Sequence, residues 1–220
     1  MSNQITKLTQ LDKHMNSFLQ LNFNKGFKYI DKTGEIMNLY TNQKVVFSSV
    51  GLSGLEIQNP IDGIDQLKVN TNQIWARFIN PATVQFTIDN FISQAKQILQ
   101  IINVDSCENF SWRNQFIYDY KNTEEQNKIE QKFLVLSKGK FSSYESVFEY
   151  KNDGIITNLI VQAVEKRKGD KTINSLLIDY DILFTTKFEF LKNNGKLSKL
   201  FTKHLLSPDY FLQITNNIIE

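Results

Sequence analysis

Apolar residues near the start of the chain recur at intervals of three and four. Ile5, Leu8, Leu11, Met15, Phe18 and Leu19 follow this spacing, which predicts an amphipathic helix over residues 3–21 that ends before Gly26. The rhythm then shortens. Residues 27–31 and 35–40 flank Lys32-Thr33-Gly34 and read as a β-hairpin. Apolar runs at 45–50, 55–58, 66–70 and 74–79 are punctuated by Gly51, Gly54, Pro60 and Gly63, the pattern of an antiparallel meander. After Pro81, Thr87 can cap a helix carrying Ile88, Phe91, Ile92, Ala95, Ile98, Leu99 and Ile102 on one face.

Strict alternation follows. Phe110, Trp112, Phe116, Tyr118 and Tyr120 share one face of a strand, with Asn114 among them, while Ser111, Arg113, Gln115 and Asp119 share the other. An amide at Asn114 needs hydrogen-bond partners if that face is buried. Residues 123–136 read as helix, and 144–150, 155–166 and 172–185 read as strands. Arg167-Lys168-Gly169-Asp170 forms the tip of the last hairpin. The C-terminus turns helical again through Leu197, Leu200, Phe201 and Leu205. Ser207-Pro208-Asp209 then starts a final helix carrying Phe211, Leu212, Thr215, Ile218 and Ile219. Strand–helix–strand units hardly alternate, so the expected class is α+β: one domain over residues 1–220, mainly antiparallel sheet, with an N-terminal helix, a central amphipathic helix and C-terminal helices.

Composition adds two constraints. The 220 residues are 41% hydrophobic and include 17 Phe, 8 Tyr and 2 Trp, enough to fill a core, and Asp plus Glu nearly balance Lys plus Arg at a net charge of +2. Residues 1–110 hold 9 basic and 9 acidic side chains and residues 111–220 hold 16 and 14, so neither half has the excess that marks a dedicated nucleic-acid domain. Cys107 is the single cysteine, which fits a reducing compartment. No apolar run approaches the ~20 residues that span a bilayer. With no signal-peptide pattern at the N-terminus, the expected location is cytoplasmic and no membrane is implied.

Candidate chemistry is sparse. His14 and His204 are the only imidazoles, and neither has a neighbouring Ser or Cys that suggests a nucleophile pair. His14 reads as a helix-surface or boundary residue, and acidic neighbours at Asp105 and Glu108 leave Cys107 an inert thiol. Gly51-Leu52-Ser53-Gly54 lacks the Lys-Ser/Thr of a phosphate loop. One cysteine and two distant histidines cannot build a zinc cluster, and no cofactor is implied. Asp179 and Asp181 alternate onto one strand face ~6.6–6.8 Å apart. Either they face solvent or pair with Arg77 or Arg113 across the sheet, or a third carboxylate such as Glu165 completes a metal-dependent nuclease or hydrolase site. Lys192, Lys196, Lys199 and Lys203 fall on one helical face and, with Lys166, Arg167, Lys168 and Lys171, are candidates for phosphate contact.

Several segments together resemble a known family. They are Leu67-Lys68-Val69-Asn70, Ile74-Trp75-Ala76-Arg77-Phe78, the helix at 88–103, the Trp112-Arg113-Asn114 strand and Ile178-Asp179-Tyr180-Asp181. Their order is similar to that in a sporadically distributed, uncharacterised prokaryotic family of somewhat longer proteins. The likeness covers residues 65–218 and leaves the N-terminal helix outside it. Where that family has Arg-aromatic-x-Asn, this chain reads Arg113-Asn114-Gln115-Phe116. The resemblance implies an α+β domain found in accessory gene neighbourhoods, phage-defence loci among them, and carries no activity. The leading expectation is a non-enzymatic binding or adaptor subunit acting through a protein encoded nearby, with helix 3–21 as docking element and its oligomeric state open. A nucleic-acid-binding accessory protein using the lysine face is the alternative, and the metal-dependent hydrolase is the second.

Overall fold

The computed structural model describes residues 13–24, 28–41, 45–51, 54–61, 63–133, 145–152, 155–168, 171–185, 187–189 and 215–216. In chain order the elements are β1 (Lys13–Asn22), α1 (Lys28–Asn38), β2 (Val46–Ser49), β3 (Leu55–Ile61), β4 (Ile64–Val69), β5 (Gln73–Ile79), α2 (Val84–Ile102), β6 (Ser106–Cys107), β7 (Asn109–Asp119), α3 (Thr123–Phe133), β8 (Glu145–Asn152), β9 (Ile155–Lys168), β10 (Lys171–Phe184) and β11 (Phe188–Glu189). Nine strands form one sheet in the order β2-β3-β4-β5-β1-β7-β10-β9-β8, and β11 pairs with β6 in a separate two-stranded ladder. Every paired neighbour runs antiparallel. The architecture is therefore α+β, with the sheet dominant.

The first strand corrects the expected N-terminal helix. Residues 13–21 belong to β1, which lies between β5 and β7, and residues 1–12 lie outside the described residues. Two periods coexist in this stretch. Met15, Phe18 and Leu19 fit a helix, whereas Ser17, Leu19, Leu21 and Phe23 fit a strand, and all four of the latter are buried. Ladders on both sides satisfy the backbone and bury that second set, which decides for the strand. The docking role expected of helix 3–21 has no helical support over 13–21.

The hairpin expected over 27–40 is instead α1. Tyr29, Ile36 and Tyr40 return to one side at helical spacing and are buried in the core. Gly34, taken as a turn residue, sits in the middle of that helix with open space where a Cβ would be. The central helix α2 starts four residues earlier than expected. Its N-cap is Thr83, whose Oγ1 accepts from Phe86 N–H at 3.0 Å, while Thr87 lies buried within the first turns. Asn103 closes α2 in the left-handed conformation at φ 55°. The expected C-terminal helices fall outside the described residues, save helical Thr215 and Asn216.

Pleating divides the sheet into two chemically different faces. One carries Leu19, Leu21, Ile57, Leu67, Val69, Ile74, Ala76, Phe78, Phe110, Trp112, Tyr118, Leu176 and Tyr180, all buried in a single core. The helix α2 packs over β1 and β5, and α1 packs against α2. The Tyr40 hydroxyl donates to Gln94 Oε1 of α2 at 2.8 Å. Ile129 of α3 enters the same core, and Tyr118 Oη donates to Glu125 of α3 at 2.7 Å. Thr215 meets the buried Tyr180 hydroxyl on this side too. Among the described residues, no helix packs on the other face.

Replacing Gly34 by Ala should raise the unfolding free energy by about 0.5–1 kcal/mol, because a solvent-facing methyl removes backbone entropy from the unfolded chain. Gly63→Ala should do the reverse, costing about 1–3 kcal/mol. Gly63 has φ +87°, and a Cβ there would meet the Phe86 ring. Urea titrations of the two variants check both signs.

Candidate functional site

The open face is built in register. Across the central strands the cross-strand partners run Gln66 (β4), Arg77 (β5), Phe18 (β1), Arg113 (β7), Asp181 (β10) and Asn158 (β9), so Phe18 stands between two arginines. One step along the strands, the row runs Lys68, Trp75, Gln20, Ser111 and Leu183. Phe18 and Trp75 stack across β1 and β5 with ring centroids 6.0 Å apart and planes at 28°. Both rings are half-buried and lie outside the core cluster.

Each arginine is held by a carboxylate on the same face. Arg113 Nε donates to both Asp179 oxygens at 3.0 and 2.9 Å, and its Nη2 donates to Oδ2 at 2.6 Å. Gln115 Nε2 is a third donor, to Asp179 Oδ2 at 2.8 Å, and makes the fourth hydrogen bond to this carboxylate. Asp179 is 2% exposed, so the guanidinium and the amide lie over it and replace its water. Arg77 donates through Nε, at 2.8 Å, and through Nη2 to Asp65 Oδ2. The sequence left the partner of the acid pair open between Arg77 and Arg113. The structure assigns Arg113 to Asp179 and gives Arg77 to Asp65, an acid that sequence reasoning passed over.

Asp181 is directly opposite Arg113, yet Arg113 reaches diagonally to Asp179. Burial raises the Asp181 carboxyl above its usual range, nearby Arg113 lowers it, and Asp179 raises it again. Asp179 and Asp181 share a face as expected. Glu165 pairs with Asn174, which alternates onto the face opposite Asp179. Among the described residues no group of three or more His, Cys, Asp or Glu side chains could hold a metal ion. Lys192, Lys196, Lys199 and Lys203 lie outside the described residues.

A second polar cluster sits on the core face, and it answers the question posed by Asn114. The ladder between β1 and β7 shifts register between His14 and Asn16. That bulge turns His14 to the same side as Ser17. His14 Nε2 is 3.1 Å from Asn114 Oδ1 and 3.2 Å from Ser17 Oγ, and Ser17 Oγ–H donates to Asn114 Oδ1. The imidazole stacks on Phe116 at 4.5 Å. His14, expected on a helix surface, is thus a strand residue whose ring is desolvated, which lowers its pKa to about 4 against the pull of Asn114 and the Asn16 backbone. A Ser, a His and an Asn meeting this way invite comparison with a hydrolase triad. The geometry does not support one. Both partners address the same ring nitrogen, whereas nucleophile and orienting group must use opposite ones, and Ser17 is 0% exposed. Cys107 is also buried, and desolvation reinforced by Glu108 pushes its thiol up to about 12, far from a reactive thiolate.

No protein-family model matches the chain, and no curated protein matches it. The site is accordingly defined by its own chemistry: a stacked Phe–Trp pair in the centre of an open sheet face, bracketed by two carboxylate-clamped arginines and bordered by amides.

Truncating Arg113 to Ala should cost about 2–4 kcal/mol, because it strands a buried carboxylate, while Arg77→Ala should cost less since Asp65 remains hydrated. Denaturant midpoints of the two variants give the comparison. Folded His14 stays neutral down to about pH 4, whereas the unfolded chain takes up its proton near pH 6.5. Stability should therefore fall as pH drops through that window, by up to about 3 kcal/mol from this group. Asp181, raised in the folded state, contributes with the opposite sign just above the ordinary carboxyl range. The difference between wild type and His14→Gln across pH 4–7 isolates the histidine.

Proposed function

We propose that the protein is a non-enzymatic binding subunit whose docking surface is the open sheet face around Phe18, Trp75, Arg77 and Arg113. The observation that carries this reading is the stacked Phe18–Trp75 pair on the face opposite the core. Trp and Arg dominate the energetics of protein interfaces, especially near the centre of a patch and ringed by polar groups. Here the pair lies on β5 and β1, the fourth and fifth of nine strands. Asn16, Gln20 and Gln115 border it.

Charge supports a protein partner over a polyanion. Within this face Arg113 is paired with Asp179, Arg77 with Asp65, and Lys151 with Glu149. Cations already neutralised by neighbours attract phosphate weakly. The polar groups are also committed to each other instead of converging on one reacting position, which favours binding over catalysis. An accessory or phage-defence role would fit a subunit of this kind and rests on the family resemblance alone.

Cross-linking mass spectrometry tests the surface. Intermolecular cross-links formed by the full chain should run through Lys68 and Lys151, which lie on the open face, and avoid Lys96 of α2 and Lys128 of α3. Trp75→Ala should abolish them while leaving the thermal midpoint within a few degrees of wild type, since Trp75 is outside the core. Cross-links that concentrate on Lys96 and Lys128, or that persist in Trp75→Ala, would refute the assignment.

A further inference from the structure

We draw no further inference here: the strongest candidate, the open sheet face around the Phe18–Trp75 stack, is the docking surface already proposed, and nothing in the structure shows what covers it.

Discussion

The fold depends on one insertion. Strand β1, near the start of the chain, pairs with β5 on one side and β7 on the other, and so joins the meander β2–β5 to the strands β7, β10, β9 and β8. Neither ladder is local in sequence. The register with β7 spans about a hundred residues, with Ser17 opposite Asn114. Contacts at that separation carry a large loop-closure cost before they return any stabilisation, so β1 should be among the last strands to dock. Without it, β5 and β7 would present two raw edges, the pairing hazard that a continuous sheet removes.

The same strand sets the chemistry of both faces. On the core side it places Leu19 and Leu21, followed by Phe23 just past its end, and through its bulge it adds His14 to Ser17 and Asn114. On the open side it places Phe18 between Arg77 and Arg113. A slip of one residue would exchange these two sets, burying Phe18 and Gln20 while exposing the leucines. The Ser17–Asn114 hydrogen bond resists that slip, because only the native register lets these two buried polar groups meet. Buried polar groups at the seam thus specify the pairing on which the exposed aromatics depend.

How much of this was legible in the sequence follows from where the deciding contacts lie. In β7 and β10, alternation of aromatic and polar residues is unambiguous, and it puts Asp179 and Asp181 on one face of their strand. The apolar stripe of α2 was equally plain; its start was misplaced because Thr83 and Thr87 are both competent caps, and the burial of Thr87 that excludes it is a tertiary fact. The segments that misled were those with two admissible periods. Residues 13–21 satisfy a helix and a strand alike, and only the partners β5 and β7 choose between them. In α1, Gly34 beside Lys32 and Thr33 imitates a turn; burial of Tyr29, Ile36 and Tyr40 holds the helix against that local preference. The pairing of Arg77 with Asp65 has no sequence signature, since it joins two strands through one hydrogen-bonded diagonal. Phe18 escaped notice for the same reason as β1. Its ring was assigned to a helix stripe, so its stacking on Trp75 could not be anticipated.

The two polar clusters differ in a way that bears on function. A group that takes part in a reaction must be free to change its bonding as charge develops, and it must reach a reactant. At the core cluster, Ser17 and Asn114 are sealed from solvent, and His14 directs one ring nitrogen at both. On the open face, Asp179 is covered by four donor contacts from Arg113 and Gln115. These groups are committed to holding geometry. Among the surface that the open face still offers are the Phe18–Trp75 stack and the outward sides of clamped guanidinium groups. Those are planar, weakly hydrated surfaces whose desolvation costs less than that of an unpaired charge. Clamping Arg113 over Asp179 before a partner arrives means that this carboxylate is already dehydrated on folding, so the burden of burying it falls on the fold and not on the association. The rigid sheet that holds the clamps is, on this reasoning, the means by which a polar surface becomes one that another protein can cover.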